Sequence, residues 1–446
     1  MIAIQARTPD GVTTGARRLS LAAGAGRETG CRVGLLGFGT VGRAVARILC
    51  ERRHRHLQLV GICTRRPAHA RADAPWVPPQ VVWTDDAETL LQTGADVIVE
   101  VIGGIEPART WIAGALRAGR SVVTANKQVI AEHGPMLTAL ARQAGTALRY
   151  EAAVGGVVPV VRGLQEGLGG DHLTRIVGVL NGTCNFILSE MAEHRVTLAQ
   201  AVSDAQARGL AEADPSADLD GLDARAKLAI LAALGFEGYL RPSDIPAESI
   251  RPIDARDLDA AGRLGCVVRQ VASAERSAST AGAVTASVLP ALVSERSWLA
   301  RATGPENVVL VTGDRSAQTV FAGQGAGGDA TAVAVVSDLR AIAAGVVAPK
   351  AWPADAPTPV VRDFDARHYV RVRAPRGAAA AEPAAAFARI GIRPEQTWVD
   401  DDGEGTRWSA VVPSCSHQRL TQALETLASA RLSCGSLCLP ILEAGQ

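Results

Sequence analysis

Along the first third of the chain, short unbroken apolar runs alternate with stretches whose apolar positions recur at helical spacing. Residues 32–36 are such a run, and residues 43–49 repeat apolar side chains with a helical period. Further runs at 57–63, 96–101 and 121–124 read as strands, with a helix over 107–118. Strands alternating with helices predict an α/β fold with a parallel sheet over residues 31–150. The rhythm then changes. Residues 176–188 read as strand, turn and helix start, 224–234 as helix, 242–274 as loop and helix, and 282–289 and 308–313 as strands, with a connecting loop at 294–300. Pro353, Pro357 and Pro359 mark a linker over 346–360. Behind it, residues 368–373 alternate as a strand, 378–390 form an Ala-rich helix, 408–412 a strand and 418–427 a helix. The organisation expected is an extension (1–30), a parallel α/β domain (31–150), an α+β domain (151–329), the linker, and a small βαβ-type domain (361–446).

Composition narrows the classes. Of 446 residues, 47% are apolar and 20% charged, which is a globular balance, and two or three domains are expected at this length. A formal charge of +1 gives no electrostatic case for nucleic acid or an anionic membrane. No run approaches a membrane span, and residues 1–30, with Arg7, Arg17, Arg18 and Arg27, lack a secretory apolar core. A cytoplasmic protein with a disordered beginning is the expectation. The eight cysteines contain no CxxC pair and the eight histidines no HxxxH pair, so the sequence offers no transition-metal motif.

The first strand runs into Gly37, Phe38, Gly39, Thr40, Val41 and Gly42 and then a helix, the context that a GxGxxG fingerprint requires. Gly37 allows the tight turn, Gly39 lets a pyrophosphate approach the backbone, and Gly42 permits close helix packing. The diphosphate would rest on amides at the helix start. The second strand ends at Arg65 and Arg66, where an NAD site usually presents an acid to the ribose. Guanidiniums there predict NADP(H), with NAD(H) as the alternative. Lys127 follows the strand 121–124, at the edge where ligands of open α/β sheets bind.

Residues 209–227 gather Glu212, Asp214, Asp218, Asp220 and Asp223 and end at Lys227, four residues and one helical turn from Asp223. Thr183 opens a helix where its hydroxyl and nearby amides would hold a carboxylate. GFGTVG, TANK, YEAAVGGVVPV, LNGTCNFIL, EADPSADLDGLDARAKLAI and GQGAGGDATA, in this order, resemble homoserine dehydrogenases over residues 31–345.

The resemblance implies interconversion of L-aspartate 4-semialdehyde and L-homoserine with NAD(P)H, a step towards threonine and methionine, on a Rossmann-type domain joined to an α+β catalytic and dimerisation domain. It implies Lys227 as proton donor with Lys127 beside the reacting oxygen, Glu212 and Asp223 on the substrate with Asp218 in support, and Thr183 at the substrate–cofactor boundary. Gly209 and Gly325 would approach the cofactor. Glu151 and the carbonyls of Val154, Gly156 and Val158 would hold sodium or a similar monovalent cation. The helix 330–345 would return to the nucleotide domain, and a homodimer or higher homo-oligomer is implied.

Aldehyde reduction needs a proton at the developing alkoxide, which an ammonium both stabilises and supplies. Two close ammoniums are expected to depress one lysine pKa. The last domain is similar to an ACT regulatory domain, but Pro375, Arg376 and Gly377 depart from that family's Asp-x-Pro-Gly turn, so weak or absent threonine inhibition is expected. The competing reading is a catalytically silent amino-acid sensor, against which the intact lysines and acids weigh.

Overall fold

The computed structural model describes residues 30–51, 54–346, 356–375, 381–389, 391–401, 405–429 and 433–443. The expected extension up to residue 29, most of the linker and the 376–380 turn lie outside the described residues.

The first sheet contains β1 (Cys31–Leu36), β2 (Leu57–Cys63), β3 (Val82–Thr84), β4 (Val97–Glu100), β5 (Ser121–Thr124) and β6 (Leu148–Arg149). All neighbours are parallel, in the order β3-β2-β1-β4-β5-β6. That is the Rossmann order, with its switch point between β1 and β4. Val33, Leu35, Val97 and Val99 are buried on one face and Leu36, Ile98 and Val122 on the other, so the strands read as apolar runs without alternation. The helix Gly328–Ala343 returns to this sheet and packs Val335, Val336 and Leu339 with Val33 and Val45. A Cβ on Gly328 would meet Thr40 Cγ2 at 2.9 Å, so the returning helix starts against the fingerprint.

The second sheet is built on β7 (Leu173–Val179), β8 (Cys266–Arg276), β9 (Val284–Ser294), β10 (Glu306–Gly313) and β11 (Ala317–Gln324), all antiparallel, in the order β11-β10-β7-β8-β9. β8 corrects the expected loop and helix over 242–274, whose helix is confined to Ala255–Arg263. Most of β8, including Ala272 and Ala274 on one face and Val271 on the other, is buried, and that hides the strand period. The helix Leu222–Phe236 is buried nearly all round, from Asp223 to Phe236.

A short strand, β12 (Val360–Val361), pairs with β9. The last unit runs β13 (Asp365–Pro375), helix Ala381–Arg389, β14 (Gln396–Asp401), β15 (Gly405–Ser416), helix His417–Ser429 and β16 (Gly435–Leu442). Its order β16-β13-β15-β14 is a split βαβ arrangement. β14 and β16 were not anticipated from sequence. β16 continues the second sheet by pairing Ile441 and Leu442 with Leu292 and Val293 of β9. Buried Arg371 and Arg407 bond Asp254 and Asp257 at the start of the helix Ala255–Arg263, where Tyr369 also donates to Asp257 Oδ1 at 3.0 Å.

Candidate active site

The site forms where the carboxyl edge of the first sheet faces the second domain. In the fingerprint, a Cβ on Gly42 would lie 2.2 Å from the Gly37 carbonyl oxygen, and Gly37 itself has φ +104, so neither tolerates a side chain. A Cβ on Gly39 would meet nothing within 4 Å, leaving its backbone open to a ligand. Thr40 is exposed and Val41 half-buried at the helix start, while Phe38 turns inward against Trp76 and Trp83 and offers only its backbone. Arg65 and Arg66 are exposed just past β2.

Beyond β4 and β5, buried Glu100 accepts from the Ile102 amide at 2.9 Å and from the Thr124 hydroxyl. Asn126 donates to the Gly104 carbonyl at 2.6 Å and caps the helix Lys127–Ala144 through the Val129 amide. Lys127 is therefore the first residue of a capped helix at the strand edge.

Lys127 Nζ lies 2.8 Å from Asp223 Oδ1, and Lys227 Nζ lies 2.7 Å from Asp223 Oδ2. Lys227 also donates to the Leu180 carbonyl at 2.8 Å. An ammonium has three protons, so Lys227 keeps one free and Lys127 keeps two. Burial would raise the Asp223 carboxyl, but the Lys227 and Lys127 ammoniums outweigh it and hold it well below the usual range. Asp223, outweighing burial, raises Lys127 above the ordinary lysine value. The expected mutual depression of the lysines is thus corrected for Lys127, because a carboxylate stands between the charges.

Asn181 was missed from sequence. Its amide donates to Asp218 Oδ1 at 2.7 Å and to Asp223 Oδ2 at 2.8 Å, and its carbonyl caps the helix Gly182–His194 through the Cys184 amide. The signal was present as an Asn directly before a helix start. Burial first and then Asp223 push the Asp218 carboxyl up. Thr183 donates its hydroxyl to the Leu210 carbonyl at 2.8 Å, which ties Gly209 and Leu210 to the helix start. That proton is not available to a carboxylate while this bond stands. Glu212 and Gly209 are exposed, and the Glu212 carboxylate adds to the field on Lys127.

Glu151 is buried and accepts from the Val161 and Arg162 amides, each at 2.9 Å. Burial, with Asp338 adding to it against the bonds from Arg162, pushes its carboxyl up to about 7. Among the described residues, nothing donates to the carbonyls of buried Val154 and Gly156, while Val158 already accepts from Val160 at 2.8 Å. Gly156, at φ +60, has no room for a Cβ, which would fall 2.6 Å from the Gln324 carbonyl oxygen. This places the loop against Gly325. An all-oxygen donor set with unsatisfied carbonyls and a raised carboxyl fits a hard cation.

A dinucleotide fingerprint facing paired lysines and a carboxylate defines a nicotinamide-dependent oxidoreductase. The homoserine dehydrogenase family model matches residues 159–339, and the NAD-binding domain model of homoserine dehydrogenase matches residues 37–151. The homoserine dehydrogenase of Synechocystis sp. is 42% identical over 312 residues, covering 69% of this chain and 72% of its own. That of Mycobacterium tuberculosis is 37% identical over 417 residues, covering 90% and 93%. A crystal structure of a homoserine dehydrogenase from Thiobacillus denitrificans superposes with TM-score 0.81 at 29% identity, over 92% of this chain and 98% of that one. A hyperthermophilic archaeal homoserine dehydrogenase in complex with NADPH superposes with TM-score 0.61 at 28% identity, over 71% and 98%. The chain belongs to the homoserine dehydrogenase family, NAD(P)-dependent oxidoreductases that act on a CH–OH group.

Proposed function

We propose that Lys227 is the proton donor of an NADP(H)-dependent interconversion of L-aspartate 4-semialdehyde and L-homoserine, with Lys127 as its partner at the reacting oxygen. The observation that carries this is the single carboxylate, Asp223, holding both ammoniums while each keeps a proton free. When bound, the nicotinamide supplies hydride to the aldehyde carbon. The free Lys227 proton then passes to the alkoxide oxygen, and in the oxidative direction it returns to the amine. Asp223 aims the two lysines, Asn181 spaces Asp218 from Asp223, and exposed Glu212 takes the substrate ammonium. Gly37 to Gly42, Gly209 and Gly325 border the cofactor, and Arg65 and Arg66 favour a 2′-phosphate. The NADPH in the archaeal relative agrees with that preference.

Glu151, Val154, Gly156 and Val158 would hold sodium or a similar monovalent cation, which offsets the charge of a carboxylate that burial disfavours. The last unit reads as ACT-like from its split βαβ order, with a weakened threonine response. The protein acts as a cytoplasmic homodimer or higher homo-oligomer. No helix among the described residues is long and apolar enough to cross a membrane. A spectrophotometric assay tests the reading: homoserine-dependent reduction of NADP⁺, at least tenfold more efficient than with NAD⁺, is expected. No homoserine-dependent reduction of either cofactor would overturn it.

A further inference from the structure

The joint between the C-terminal unit and the catalytic body holds a second cluster of ligand-type side chains. His368 on β13, Cys438 on β16 and His417 at the start of the helix His417–Ser429 are all buried. His368 Nε2 lies 3.1 Å from His417 Nδ1, and Cys438 Sγ lies 3.9 Å from the same nitrogen. One ligand-type atom of each residue falls within 4.8 Å of the other two. The register explains the convergence. Val370 stands opposite Cys438 and His368 opposite Pro440, so His368, Val370 and Cys438 share the face that the helix covers with Leu420 and Leu424.

His417 is oriented from outside. Its Nε2 faces Glu248 Oε1 at 3.3 Å, and Phe364 stacks on the ring at 4.9 Å. A carboxylate at Nε2 keeps the proton there and turns the Nδ1 lone pair into the cluster, as outer carboxylates do for metal-bound histidines.

We propose that His368, His417 and Cys438 form a binding site for a borderline transition-metal ion, Zn²⁺ in the first place, with Glu248 as outer partner. Two imidazoles and a thiolate are a zinc donor set, and tetrahedral bond lengths put ligand edges at about 3.3–3.6 Å. Two of the three edges, at 3.1 and 3.9 Å, bracket that range and the third is no longer than 4.8 Å, so side-chain rotations would close the cage. A water completes the coordination. Binding forms a metal–sulfur bond as the thiol proton leaves to solvent, with no change of oxidation state. This donor set differs from the all-oxygen set around Glu151.

The ion would fix the C-terminal unit to the substrate segment. The Glu248 amide donates to the Val288 carbonyl at 2.9 Å, Ser249 donates to Asp220 Oδ1 at 2.7 Å, and the Ile250 amide donates to the Leu219 carbonyl at 3.0 Å. The loop that orients His417 therefore also holds the turn bearing Asp218.

The test is titration of the chelator-treated, reduced full-length protein with Co²⁺, followed by competition with Zn²⁺. One equivalent per chain should bind, with a thiolate-to-cobalt charge-transfer band and the intense visible bands of tetrahedral Co²⁺. Zn²⁺ should remove both and raise the melting temperature. Cys438→Ser should abolish the charge-transfer band, and Glu248→Gln should weaken affinity about tenfold. No stoichiometric Co²⁺ or Zn²⁺ binding by the folded wild type, or an unchanged charge-transfer band in Cys438→Ser, would overturn the proposal. Should Cys438→Ser fail to fold, His368→Gln carries the test, with at least a tenfold loss of affinity expected and an unchanged affinity contradicting the site.

Discussion

Asp223 Oδ2 lies 2.7 Å from Lys227 Nζ, one turn apart on the helix Leu222–Phe236, with Asp223 buried and Lys227 partly buried. An exposed pair at this spacing contributes only a few tenths of a kcal/mol. Burial changes its meaning, because removing one partner leaves the other charge without compensation. Asp223→Asn should therefore lower kcat by about 10²-fold or more and lower the melting temperature, both measurable on purified protein.

The same substitution separates the electrostatics by pH. Asp223 sits below its unfolded value, so its contribution to stability is present above about pH 4 and is lost as pH falls through the folded value. Lys127 sits above its unfolded value, so its contribution is complete below about pH 10 and is lost as pH rises through the folded value. Without Asp223 the Lys127 pKa should fall. The alkaline limb of the pH profile of kcat/KM should then move to lower pH, and an unmoved limb would contradict the clamp.

Glu151 makes the opposite prediction. Its folded pKa, about 7, is above the unfolded value of about 4.3, so the folded state holds the extra proton and loses stability as pH rises between them. A bound monovalent cation should recover that loss. The melting temperature at pH 8 should be higher in sodium chloride than in choline chloride of equal ionic strength. The difference should shrink at pH 5.5 and vanish in Glu151→Gln.

Arg65 and Arg66 carry the cofactor preference. A charge-assisted contact to a 2′-phosphate is worth about 1.5–3 kcal/mol, so replacing both by alanine should cut kcat/KM for NADPH about 10- to 100-fold. The value for NADH should change less than threefold. Equal losses with both cofactors would assign the arginines to the fold.

L-Threonine at submillimolar concentration should not reach half-maximal inhibition. An inhibition curve with its midpoint below 1 mM (about 4 kcal/mol of binding) would show a working effector site.

Much of this was legible in the chain. The apolar runs of β1, β4 and β5 and the glycines of the fingerprint each have one physical reading in a parallel sheet, and Asp223 and Lys227 share a helical face by spacing alone. The setting of the pair was not legible, since it depends on Leu180 and Lys127, far away in sequence. β8 was hidden because burial on both faces removes its period. Asn181 was readable as a cap but not as the group separating Asp218 from Asp223. The cluster of His368, His417 and Cys438 has no spacing signal, because strand register and a helix start bring it together.

The central claim is that Lys227 delivers the proton. The most direct measurement is kcat for NADPH-dependent reduction of L-aspartate 4-semialdehyde by Lys227→Met, with its fold checked by circular dichroism and its NADPH affinity by fluorescence. A loss of about 10²- to 10⁴-fold in kcat with unchanged NADPH affinity is predicted. A folded variant within threefold of the wild-type kcat would contradict the account.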